Sequence, residues 1–178
     1  MRVVRRALLI VVALVLLAGG ALAASAVGDQ QSRYYRDAIV VEAPRELIWD
    51  VLTDFDAYEE WNPYVTRARG LASEGTELEL TLDAADEEAE QVTAEVLIVH
   101  PRRKLEWRTR RLVPGLLDHE QIFRVLPLDA RRFRVVQEAR FEGLLAPIVD
   151  LDGERRGLAD MVAALAERAT ARYQSASE

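Results

Sequence analysis

The chain has no cysteine, which excludes disulfides, thiolate metal sites, a cysteine nucleophile and a cysteine-borne lipid anchor together. Histidine is nearly as scarce, with only His100 and His119, and neither has a second or third ligand at a metal-binding spacing, so no metal site and no cofactor is expected. Lys104 is the one lysine and hence the one candidate for Schiff-base chemistry. Ser73 is the only serine in the body before the tail, and it lies in a turn without a Gly-x-Ser-x-Gly elbow, which argues against a serine nucleophile. Positive charge is also thin. Three arginines, Arg2, Arg5 and Arg6, precede residue 27, leaving 20 bases against 30 acids, or −10, for the rest. So acidic a body has no footprint for neutralising phosphates, and nucleic acid is excluded as a partner.

What is present is apolar. Half of the 178 residues are hydrophobic, enough for one substantial core. Arg2, Arg5 and Arg6 stand ahead of an unbroken apolar run, Ala7 to Leu17, and small residues follow through Ala21-Leu22-Ala23 and Ala24-Ser25-Ala26. That is the order of a secretory signal peptide. The absence of charge from Ala7 to Gly28 fits an uncleaved anchor equally, being about the length that crosses a bilayer. Both readings place the folded body across the cytoplasmic membrane, either exported or held by one transmembrane helix. Residues 1–26 are therefore expected to be a signal peptide or anchor, 27–36 a linker, 37–174 the folded domain and 175–178 a tail.

Within the body, Asp37 to Glu42 reads as a strand. From Pro44, apolar residues at Leu47, Ile48, Val51, Leu52 and Phe55 trace one helical stripe, which Pro63 ends. The period then becomes two. Val65–Leu71, Leu78–Leu82, Val92–Val99, Leu105–Thr109, Asp118–Leu126 and Arg132–Phe141 read as successive antiparallel strands. Leu144 to Tyr173 returns to helical spacing, with Leu158, Met161, Val162, Leu165 and Ala169 on one face. The order is strand, helix, six strands, long helix, an α+β pattern. A twisted sheet wrapped on one helix leaves a gap between them, where a ligand can bind.

The string Ile39-Val-Val-Glu-Ala-Pro44, with Leu47-Ile-Trp49-Asp-Val-Leu52-Thr-Asp-Phe55-Asp-Ala-Tyr58-Glu-Glu-Trp61-Asn-Pro63, resembles the opening of START-like domains. This superfamily, also called SRPBCC, holds the major birch pollen allergen and the polyketide cyclases/dehydrases. Leu105-Glu-Trp107, Leu112 to Phe123, Gln137 to Leu145 and Gly157 to Met161 extend the resemblance over residues 37–172. It implies a helix-grip fold, a seven-stranded curved antiparallel sheet around a long C-terminal helix with a hydrophobic cavity between. It also implies a histidine where this chain has Gln121 and a glutamate where it has Ala139, so two ionisable groups are missing from the expected pocket face.

Alternation puts His119, Gln121, Phe123 and Val125 on one inward face and Val135, Gln137, Ala139 and Phe141 on the next. Gln121 and Gln137 would orient a ligand hydroxyl or carbonyl, or merely bond a neighbour or a buried water. His119 reads as a solvated or hydrogen-bonded structural histidine, since Asp118 and Glu120 point the other way. Trp61 near the mouth, and Trp107, Phe123, Phe141 and Met161 inside, are ligand contacts or plain core. Arg110, from the cluster Arg108-Thr-Arg-Arg111, is the candidate polar mouth; the alternative is a solvated strand face. The acidic run Asp83 to Glu90 reads as a hairpin tip. The function expected is binding or carriage of a hydrophobic small molecule or lipid outside the cytoplasm. The alternatives are a cyclase/dehydratase-like enzyme and a protein-interaction module with a filled interior.

Overall fold

The computed structural model describes residues 32–84, 88–111, 114–129 and 131–176. The signal or anchor segment, the first five residues of the linker, the centre of the acidic tip and the last two residues of the tail lie outside them.

Strand β1 (Arg33–Val41) leads into helix α1 (Arg45–Thr53) and a 3-10 segment (Phe55–Glu60). Six strands follow, β2 (Val65–Arg69), β3 (Glu77–Leu82), β4 (Glu90–His100), β5 (Lys104–Arg111), β6 (Leu117–Pro127) and β7 (Phe133–Glu142), and then helix α2 (Asp152–Ser175). All seven strands form one antiparallel sheet in the order β1-β7-β6-β5-β4-β3-β2. The first two strands thus lie at opposite edges, and α1 with the 3-10 segment spans the distance between them. Register shifts between Val65 and Arg67 and between Val96 and Ile98 are bulges of the kind that bend a sheet. The result is the α+β helix grip, a curled sheet closed by α2.

Two boundaries differ from the sequence reading. The first strand starts at Arg33, four residues inside the expected linker, because Arg33 to Asp37 pair with Phe141 to Gln137. Their polar composition follows from an edge strand whose alternate residues face water. The last helix starts at Asp152 rather than Leu144. Leu144 N–H and Leu145 N–H are donated to the carbonyls of Gly115 and Leu116, at 3.1 and 3.0 Å, and are lost to a helix. Gly143 makes this possible. It sits at φ 115°, and a Cβ there would lie 2.6 Å from the Leu116 carbonyl oxygen.

The corner between the 3-10 segment and β2 is held by Asn62, whose side-chain oxygen accepts from Tyr64 N–H and Val65 N–H at 3.0 and 2.9 Å. This presents Tyr64, fully buried, to α2. Gly157 is its seat, since a Cβ at 157 would stand 2.4 Å from the Tyr64 ring. In an open helix Gly→Ala stabilises by about 1 kcal/mol. Gly157→Ala is expected to do the opposite and cost roughly 1–3 kcal/mol through overpacking, seen as a lower urea midpoint at unchanged m value.

Candidate functional site

The inner faces of β5, β6 and β7 carry the site. The register sets Trp107 opposite Gln121, Thr109 opposite His119, Phe123 opposite Gln137 and His119 opposite Phe141. Trp107, His119, Gln121, Phe123, Gln137, Phe141 and Met161 are each at most 2% exposed, so the inward assignment holds for all six strand residues and for the helix residue above them. Rings make up much of this surface. Trp107 and Phe123 lie 5.3 Å apart between centroids, and Phe55 stands edge-on to Trp107 at 6.3 Å. Trp61 is half-buried against the core, 4.9 Å from the Tyr58 ring, which in turn stands 5.4 Å from Phe55.

The expected gap is closed by side chains. Met161 Sδ accepts from Gln121 Nε2 at 3.5 Å, bringing α2 down on the sheet. The four described pockets lie elsewhere, the largest, about 530 Å³, beside Glu42, Arg132, Thr170 and Tyr173. Yet the interior is not satisfied. Neither amide atom of Gln137 has a hydrogen-bond partner, nor has His119 Nε2. Buried polar atoms of this kind are uncommon in folded proteins.

His119 is buried, as its inward placement on β6 required, so the solvated alternative does not hold, and its Nε2 has no hydrogen-bond partner. Its ring stacks on Phe141 at 4.2 Å and 9°. Burial pushes the imidazole down to about 4; Glu154 pulls it up and Arg111 pushes it further down. His119 is therefore neutral at physiological pH.

Arg110 is not the polar mouth. It lies on the outer face and pairs with Glu95 at 3.5 Å, as Arg108 pairs with Glu120 there. Lys104 is on the same outer face, 2.5 Å from Glu106, so it is no interior amine. Arg111 takes the place expected of Arg110, since period two continues the inward set Trp107, Thr109, Arg111. Its Nη2 lies 2.5 Å from Glu154 Oε1. Its Nε lies 3.1 Å from Glu90 Oε2, close enough for an ion pair but out of line for a hydrogen bond, as the Nε–H has no acceptor.

Glu154, 2% exposed in the first turn of α2, also accepts from Tyr64 O–H. Burial and the neighbouring Glu154 carboxylate hold the Tyr64 phenol well above its usual range. Sequence reading missed Tyr64 and Glu154. The signal for Glu154 was present: it lies four residues before Leu158 and seven before Met161, on the stripe that helical spacing buries. Among the described residues no three His, Asp or Glu side chains are grouped to hold a metal.

Residues 35–178 match the family model for polyketide cyclase / dehydrase and lipid transport. The chain belongs to that family. No curated protein matches it in sequence. Solved structures do. A START superfamily protein from Mycobacterium smegmatis is 18% identical, with TM-score 0.60 over 80% of this chain and 97% of that one. The Zhui aromatase/cyclase from Streptomyces sp. R1128 is 23% identical, with TM-score 0.54 over 79% and 87%. Major latex-like protein 151 from Panax ginseng is 10% identical, with TM-score 0.64 over 78% and 97%. At these identities the likeness is one of fold. This polyketide cyclase / dehydrase family member keeps the START-like frame, with its own set of inward polar groups: Gln121, Gln137, His119 and the Arg111–Glu154–Tyr64 cluster.

Two expectations follow for this cluster. With an unfolded histidine near 6.5, the unfolded chain gains a proton that folded His119 refuses as pH falls. His119 thus costs nothing above about pH 6.5 and weakens the fold progressively from there down to about 4. Between pH 7.5 and 4.5 the protein is expected to lose about 2–3 kcal/mol more than its His119→Phe variant in paired urea titrations. Second, Arg111→Met leaves Glu154 buried without its cation and should cost about 3–5 kcal/mol, whereas Arg111→Met with Glu154→Leu should recover most of that. Denaturation of these two variants and of Glu154→Leu alone completes the cycle.

Proposed function

We propose that this chain binds a small hydrophobic molecule bearing at least one oxygen, held between the inner face of β5–β7 and α2. One observation carries the reading: Gln137 and His119 present unpartnered polar atoms to an interior otherwise lined by Trp107, Phe123, Phe141 and Met161. An unmade hydrogen bond in such surroundings costs about 1–3 kcal/mol per group. A ligand hydroxyl or carbonyl would offset that cost, and its apolar remainder would match the rings. Met161 is suited to be the moving part, because an unbranched thioether swings aside with little strain. The chemistry fits a lipid as well as a polyketide-like molecule. With residues 1–26 as signal or anchor, the setting is the outer side of the cytoplasmic membrane, where carriage between lipid surfaces is the natural use.

A catalytic reading has its own support. His119 is buried with an unpartnered Nε2, so a proton could pass between a ligand and that nitrogen without a metal or cofactor. A cyclase or dehydratase would use the ring walls to fold the substrate and His119 to take or give the proton.

The test is native mass spectrometry of the protein purified from the membrane and exported fractions of its own host, followed by denaturing extraction. A stoichiometric apolar adduct is expected, reduced about tenfold in Gln137→Leu, which removes one hydrogen-bonding partner from the ligand but leaves the core filled. Turnover of the extracted compound that fails in His119→Gln while binding persists would select the enzyme reading. A clean apo mass, with no thermal shift from a panel of apolar ligands, would move the assignment to a protein-interaction module.

A further inference from the structure

The chain enters the fold beside an apolar turn. Arg33, the first residue of β1, donates from Nη2 to the Pro147 carbonyl oxygen at 2.8 Å, in the turn that joins β7 to α2. That turn is held in shape from inside. Ala146 is fully buried, and Leu144 N–H and Leu145 N–H are bonded to the β5–β6 connection. Ile148 N–H closes the turn on the Leu145 carbonyl at 2.9 Å. The two large side chains left outside are Leu144 at 51% and Ile148 at 75% exposure.

Exposed apolar residues also occur at the opposite ends of the strands, at Leu71, Leu126 and Leu128, so exposure alone decides nothing. Tether length does. Residues 7–28 carry no charge, and from Gly28 to Arg33 the chain can reach at most about 18 Å. If residues 7–28 lie in a bilayer, Arg33 and the turn bonded to it are confined to the layer just above the headgroups. The far ends are about 33 Å further out, the length of the eleven-residue β6.

We infer that Leu144 and Ile148 insert into the headgroup region of the bilayer that carries the N-terminal segment, docking the domain with the Arg33 end downward. This rests on the anchored reading of residues 1–26. The apolar pair alone would bind weakly, but the short tether makes the contact intramolecular. Arginine beside leucine and isoleucine suits that depth, where a guanidinium group stays with the headgroups while apolar side chains go deeper. The consequence concerns the site. Arg111, Glu154 and His119 lie at this same end of β5, β6 and α2, so a docked domain turns its polar cluster toward the lipid. A lipid could then pass into the interior without crossing water.

The lack of cysteine allows a single polarity-sensitive fluorophore to be placed on the full chain through Ile148→Cys, with Leu71→Cys, 71% exposed at the far end, as the reference. Both are reconstituted in phosphatidylethanolamine vesicles with a minority of phosphatidylglycerol and floated on a gradient. Expected is flotation of both, with the label at 148 blue-shifted and quenched at least about twofold more than that at 71 by headgroup-level nitroxide lipid. Adding Leu144→Glu to the Ile148→Cys chain should abolish that difference while flotation persists. Flotation with equal quenching at 148 and 71 overturns the docking and leaves the anchor standing. A chain that stays at the bottom of the gradient overturns both.

Discussion

The buried Glu154 carboxylate constrains more of this structure than any other group. A helix laid across an apolar sheet is free to slide and roll, because hydrophobic contact is non-directional. Carrying a carboxylate inside removes that freedom, since a buried charge is tolerable only where its partners stand. Arg111 at the end of β5 and Tyr64 ahead of β2 supply them, and Gly157, one turn on, gives the Tyr64 ring its room. Three elements distant in sequence meet at this point. The rest of the α2 face, Leu158, Met161, Leu165 and Ala169, then falls onto the sheet in one register. A pair of this kind adds little net stability compared with well-packed apolar groups, so its contribution is to position the helix.

The fold was legible because its signals are periodic. Alternation in β5 through β7 put Trp107, His119, Gln121, Phe123, Gln137 and Phe141 on the inner face, and the structure puts them there. The errors came where composition stood in for position. Arg33 to Arg36 read as linker because they are polar, yet an edge strand may be polar on its open side. The cluster Arg108 to Arg111 read as one basic patch, although alternation divides it between two faces; applied to the arginines as strictly as to the aromatics, it selects Arg111 over Arg110. The Arg111–Glu154–Tyr64 meeting was beyond reach of local pattern, since it depends on how a helix more than forty residues downstream settles over the sheet.

The same interior holds two polar arrangements of opposite kind. Glu154, Arg111 and Tyr64 are matched to one another, and such a group resists rearrangement because each partner would be stranded without the others. Gln137 and His119 are not matched, and their free atoms lie on β7 and β6, the latter being the strand that Gln121 ties to Met161. A core selected for stability alone would place leucine or phenylalanine at these two positions, as it does at Phe123 and Phe141. Retaining an amide and an imidazole there lowers stability, which is the usual mark of a region adapted to something other than folding. The matched cluster also supplies the rigidity that the unmatched pair needs, for an orienting group is useful only if its frame does not follow the ligand.

Antiparallel topology explains why these features share one end of the molecule. The β5–β6 connection, the end of β7, the start of β1 and the first turn of α2 all fall at the same edge of the strands. The residue that receives the N-terminal segment is thus a neighbour, through Phe141, of the histidine inside, since Arg33 pairs with Phe141 and Phe141 stacks on His119. A pull or tilt at Arg33 would act on the edge pairing β1–β7 and hence on the ring that covers His119. In a sheet whose interior is closed by packed rings rather than by a separate lid, an edge strand is the element that can shift at least cost. The start of β1 and the interior histidine are therefore linked by one cross-strand pair and one ring stack, with no long chain of intermediates between them.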